Sequence, residues 1–284
     1  MPGAVTVSAG LALGVYAMVK ATEVGWSSGQ TIGFLAGSVA LLVAFVVVEL
    51  RTRKPLVPFS IFRLRTLRGA NIVGVLIGMS LFSMFFMVTL YLQQVLGDDA
   101  LEAGLSYLPL AIAIILAAGA ASALVTRIGF KNVLIIGMLF VAGGLAWFSQ
   151  ISPDGSFTVD VLAPSVLAGI GLGMSFVSVT IAAVTGTEAH EAGLASGLIN
   201  TTQQIGGALG LAILASVANS STKDEFGTGA DAPTALTQGF ADAFTIGACF
   251  ALVGAVLAGL LISSRDSQEH AESARAGEAF PVAV

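Results

Sequence analysis

The polar side chains that interrupt long apolar runs are the residues of this sequence with chemistry to offer. Asn71, Gly74, Gly78, Phe82, Phe85, Thr89 and Gln93 recur at helical spacing and share one helix face. The stripe has amide ends and an aromatic middle, with Tyr91 and Gln94 beside its far end. Gly193, Ser196, Gly197, Asn200, Gln203, Gln204 and Gly207 make a second stripe. Amides, hydroxyls and aromatic rings can bind an amphipathic small molecule through hydrogen bonds and ring contact. They do not supply an activated nucleophile or a base, so no enzyme is expected. His190, His270 and the single cysteine, Cys249, stand apart from one another. No metal-ligand spacing and no disulfide follows from them. The histidines are expected as solvated loop residues and Cys249 as a small buried hydrophobe.

The same polar residues have a plainer use. An unpaired polar group is costly in hydrocarbon, so it faces a cavity or bonds across a helix interface. Asn200, Gln203 and Gln204 fit either role. Gly74–Gly78, Gly193–Gly197 and Gly206–Gly210 are small-xxx-small pairs that let helices pack closely. Phe82, Phe85 and Phe86, with Met79, Met84 and Met87, suit a lipid or core face as well as a substrate wall.

The elements that carry these stripes must be membrane helices. Of 284 residues only 10% are charged and 56% are hydrophobic, with a mean hydropathy of +0.92. A soluble domain carries roughly 25% charge. The composition argues against a soluble enzyme, a disordered regulator and a nucleic-acid partner. A spanning helix needs ~20 apolar residues. Charge-poor runs supply eight such segments: residues 1–19, Val24–Val48, Gly69–Gly97, Ala103–Thr126, Asn132–Pro153, Val161–Thr187, Ala192–Thr222 and Ala243–Ser264. The first is the weakest. All should be helical, because open strands leave backbone groups unpaired in lipid.

Charge sets the expected orientation. With eight spans, Arg51, Arg53, Lys54, Arg63, Arg65, Arg68, Arg127, Lys131, Arg265 and Arg275 fall on one side, and Lys20 and Lys223 on the other. The positive-inside rule then makes both termini cytoplasmic. Opposite them lie Asp98, Asp99 and Glu102, the turn Pro153-Asp154-Gly155, and a longer polar loop over Asn219–Gln238. In the basic loop 51–68, Phe59, Ile61, Phe62 and Leu64 alternate with arginines, which predicts a short interfacial segment. No ionisable residue is expected deep in the last seven spans. Glu49 reads as interfacial beside Arg51, and Asp160 and Asp242 as residues at outer helix starts.

Longer strings add a resemblance. Leu90-Tyr91-Leu92-Gln93-Gln94-Val95-Leu96-Gly97, then Glu102-Ala103-Gly104-Leu105 and Leu108-Pro109, resemble the fourteen-span drug/proton antiporter family of the major facilitator superfamily. So do Gly193-Leu194-Ala195-Ser196-Gly197-Leu198-Ile199-Asn200-Thr201 with Gln204 and Gly206-Gly207-Ala208-Leu209-Gly210, and Pro2-Gly3-Ala4 with Gly25-Trp26. Arg127-Ile128-Gly129-Phe130-Lys131 is similar to the superfamily's basic cytoplasmic loop motif, carried here by Arg127, Gly129 and Lys131. Thr126 stands where an acidic residue is usual and Phe130 where a basic one is, so a full gating salt-bridge network is not expected.

The resemblance implies an all-α integral membrane protein of the plasma (inner) membrane, the second half of a major facilitator fold. Residues 1–50 would be two central linker helices, 51–68 a basic interfacial loop, 69–264 a six-helix bundle and 265–284 a disordered cytoplasmic tail. The family's first bundle, with its antiporter motif and membrane carboxylates, would lie outside this chain. The implied function is efflux of amphipathic drugs by alternating access, driven by a proton gradient and needing no cofactor. The implied partners are the lipid bilayer, an amphipathic substrate, and a missing first half or a second copy. The alternative is a truncated or non-transporting membrane subunit that needs a partner half.

Overall fold

The structure, a computed structural model, describes residues 2–52, 55–188 and 190–276. Arg53 and Lys54 of the basic loop and residues 277–284 of the tail lie outside the described residues. Every element is helical: α1 (Pro2–Val24), α2 (Gly29–Arg51), a 3₁₀ turn (Phe59–Arg63), α3 (Arg65–Gln94), α4 (Ala100–Leu105), α5 (Leu108–Ile128), α6 (Phe130–Phe148), a π turn (Phe157–Leu162), α7 (Ala163–Val184), α8 (Ala192–Thr228), α9 (Ala232–Leu261) and α10 (Ser264–Ala276). Among the described residues, eight segments are long and apolar enough to cross a membrane, with α4 and α5 sharing one and the π turn leading into α7.

Local sequence starts and stops these helices where the chemistry demands. Ser28 caps α2 by accepting the Thr31 amide. Asp99 and Glu102 form a capping box at α4. Asp231 caps α9 with Pro233 in the first turn. Gly229 ends α8 at φ +91°, a left-handed stop.

The chain divides into two compact units, Met1–Arg63 and Leu64–Val284. In the first, α1 and α2 pair, with Ser38 donating to the Gly10 carbonyl at 2.7 Å and Tyr16 meeting Phe34 edge-on at 5.2 Å. Glu49, near the end of α2, is only 4% exposed, and its Oε2 accepts the Val57 amide at 3.0 Å. The Pro55–Pro58 loop folds back over the helix end and covers the carboxylate.

In the second unit α7 is the most buried span and packs against α5 and α6, while α3 packs against α8 and α9. Phe148 stacks on Phe244 at 5.0 Å between α6 and α9. Tyr91 is buried and donates to the Ser152 carbonyl at 2.7 Å, tying the end of α3 to the loop before α7. Asp160 holds that loop by accepting the amides of Ser152 and Ser156.

Five expectations are corrected. The polar loop over Asn219–Gln238 is helix except for residues 229–231. At 1.5 Å per residue the 37 residues of α8 reach ~55 Å, well past a hydrocarbon core of ~30 Å. Asp242 therefore lies within α9, not at its start. It accepts hydrogen bonds from Ser221 of α8 and, at 3.0 Å, from Gln238. Cys249 is exposed, on the outward face of α9. Residues 264–276 form α10 in place of a disordered tail, and His270 sits on it, edge-on to Phe130 at 5.5 Å.

Candidate functional site

The two polar stripes meet along the seam between α3 and α8. The seam is close because glycine permits it. A methyl group at Gly78 would overlap the Gln203 carbonyl, and one at Gly206 would overlap the Val75 carbonyl. Backbones in such contact gain dispersion energy without a side chain between them. Asn71 is buried in the seam. It donates to the Leu67 carbonyl at 2.9 Å and accepts from Thr202 at 3.3 Å. Gln203 is 7% exposed, and its amide nitrogen is buried with no hydrogen-bond partner among the described residues. Of the candidate site residues, Asn71 and Gln203 thus sit in the helix interface.

The rest of the stripes face outward. Asn200 is exposed and donates back to the Ser196 carbonyl at 2.8 Å. Gln204 is exposed one turn further along. Gly193 and Gly197 have open space where a Cβ would stand, unlike Gly78 and Gly206. Gly193, Gly197, Asn200 and Gln204 follow a spacing of four, three and four, so they form one open face. On α3, Phe82 is 40% exposed with its ring over Gly207, Phe86 is 41% exposed, and Gln93 is exposed near the helix end.

Half-buried beside these aromatics is a small polar cluster. Phe85 stacks on Tyr107 at 5.0 Å. The Tyr107 hydroxyl lies 2.7 Å from the Phe85 carbonyl and 2.7 Å from Thr89 Oγ1, and Thr89 Oγ1 lies 2.8 Å from the same carbonyl. Three contacts share two hydroxyl protons, so one of them is always shared or exchanged. Tyr107 was not legible as a site residue. It precedes Pro109 at the start of α5, where the sequence reads as a helix start.

The basic loop motif is built differently from an ion-pair network. Gly129, at φ +80°, lets α5 turn directly into α6, and the Ser267 side chain lies where its Cβ would stand. The Lys131 amide donates to Ser267 Oγ at 3.1 Å, and its ammonium donates to Ser264 Oγ at 2.9 Å. Arg275 donates to the Thr126 carbonyl at 2.8 Å and to the Arg127 carbonyl. Ser264, Ser267 and Arg275 belong to α10, and none of the three carries a spacing signal. Burial pushes the His270 imidazole below its ordinary value. At the opposite end of α3, burial, then the Glu102 and Asp99 carboxylates, raise the Asp98 carboxyl.

Helices long and apolar enough to span a bilayer, joined along polar seams, define an integral membrane protein. Residues 3–211 match the family model of the Major Facilitator Superfamily, and the chain belongs to that superfamily. The chain is 35% identical over 263 residues to the cephamycin export protein of Amycolatopsis lactamdurans, covering 92% of this chain and 53% of that relative. It is 32% identical over 272 residues to a puromycin resistance protein of Streptomyces alboniger, covering 93% and 54%. It is 30% identical over 214 residues to a multidrug transporter of Bacillus subtilis, covering 73% and 39%. The chain spans about half the length of the curated relatives it matches.

Proposed function

We propose that this chain supplies the second half of an efflux transporter for amphipathic small molecules. Alternating access needs two bundles that rock about a shared cavity, and the six spans after Leu64 form one bundle. The first half of a longer chain, or a second copy, supplies the other. Residues 1–50 act as linker helices between the two bundles, and both ends of the chain lie in the cytoplasm, on the side that holds ten of its twelve basic residues. The relatives named for export and resistance support the substrate class.

The observation that carries this reading is the open face of α8. Asn200 and Gln204 are exposed on the helix that packs closely against α3, and Phe82 and Phe86 are exposed on α3. In a bilayer, exposed amides are costly unless they meet water, substrate or another bundle. An amphipathic molecule would find amides on one wall and rings on the other. The drive is the proton gradient, with the coupling carboxylate in the partner half.

The test is drug resistance and dye efflux in a sensitive host that expresses the full-length transporter. Asn200→Ala and Gln204→Ala should weaken resistance with expression unchanged. Unchanged resistance in both would sink the site. A second reading, a membrane subunit that does not transport alone, follows from the need for two bundles. Proteoliposomes holding only these 284 residues should then be inert, and dye movement against a proton gradient would exclude it.

A further inference from the structure

The last turn of α5 and the facing side of α10 enclose an open cleft of about 330 Å³, lined by Arg127, Ile128, Gln268, Ala271, Glu272 and Arg275. We propose that this cleft binds the phosphodiester headgroup of an anionic glycerophospholipid. Its position suits a lipid. Ile128 is the last residue of a spanning segment and is 41% exposed, so it offers apolar surface at the level of the headgroups.

The charges suit one phosphodiester. Arg275 is held in place by its bonds to the carbonyls of Thr126 and Arg127, which also satisfy the orphan end of α5. A guanidinium has five N–H donors, so three remain for a ligand. Arg127 brings a second planar fork to the same cleft, the geometry that phosphate oxygens match. Gln268 adds an amide. Glu272 brings a carboxylate, which leaves the three charged side chains with a net charge of +1. That balance matches the single charge of a phosphodiester. The cleft is also of a size for a small organic ligand rather than a bare ion.

Native mass spectrometry of the whole chain, released from mixed phosphatidylglycerol and phosphatidylcholine, tests the site without any transport assay. Phosphatidylglycerol should be retained over phosphatidylcholine, and Arg127→Gln should lower that preference about five-fold, the effect of one basic group near anionic lipid. Arg275→Gln should lower it too, but it also loosens α10. Arg127→Gln is therefore the deciding variant, because it keeps the carbonyl contacts of Arg275. Millimolar inorganic phosphate should not displace the lipid. Equal retention of the two lipids by the unaltered chain, or the same preference in Arg127→Gln, would overturn the proposal. Displacement by inorganic phosphate would overturn it as well and make the cleft a free phosphate site.

Discussion

The carbonyl oxygen of Gln203 lies over Gly78 so closely that no side chain fits between the two helices. This one relationship divides the polar stripe of α8 into two parts. Gln203 and the glycines beside it hold the helix to α3, while Asn200 and Gln204 turn away. It also separates the substitutions that should unfold the bundle from those that should only change what it does.

Gly78→Leu should destabilise the chain by about 1–3 kcal/mol, the usual cost of overpacking a close interface. Gly193→Ala, where nothing lies within contact distance, should change stability by less than about 0.5 kcal/mol. Thermal unfolding in detergent, followed by the loss of monodisperse protein, measures both. Similar losses from the two variants would contradict the seam.

Tyr107→Phe and Thr89→Val should each cost about 1 kcal/mol, since each removes a half-buried hydroxyl from the cluster at the Phe85 carbonyl. The double variant should cost clearly less than their sum, because the contacts share two protons among three positions. A double-mutant cycle of melting temperatures reads the coupling. Strict additivity would show that the two hydroxyls act separately.

The docking of α10 should weaken in acid. His270 packs on Phe130, and burial lowers its pKa, so the undocked helix binds a proton more readily than the docked one. The penalty is absent above the ordinary histidine value of about 6.5 and grows as pH falls below it. Protection factors for the amides of residues 264–276, corrected for the slower intrinsic exchange in acid, should be high at neutral pH and lower near pH 5. His270→Phe should remove this dependence while keeping the ring contact. Protection factors independent of pH in the unaltered chain would refute it.

The eight spans were readable in the sequence because hydrocarbon thickness demands long apolar helices, and few compositions satisfy that demand. The seam was readable only in outline. Gly74–Gly78 and Gly193–Gly197 have the same small-xxx-small spacing, yet the first pair packs on α8 and the second faces open space. Spacing states where a close approach is allowed and does not say which neighbour takes it. The helix α10 left no signal, because residues 264–276 have no apolar repeat. Serine hydroxyls on Lys131 and backbone carbonyls on Arg275 hold it down, contacts between residues more than a hundred positions apart. Asp242 was misplaced for the same reason: its partner Ser221 lies on the neighbouring helix, and the pairing extends α8 and α9 beyond the apolar run.

The central claim is that Asn200 and Gln204 face a water-filled path for substrate. It is tested most directly by cysteine accessibility in the full-length transporter, after Cys249→Ser removes the natural thiol. Asn200→Cys and Gln204→Cys should react with a membrane-impermeant maleimide applied to inverted vesicles or intact cells, and excess drug should protect them. Val253→Cys, on the exposed apolar face of α9, should not react. If positions 200 and 204 stay unlabelled by the water-soluble reagent and react only with a lipid-soluble one, that face lies against the bilayer and the account fails.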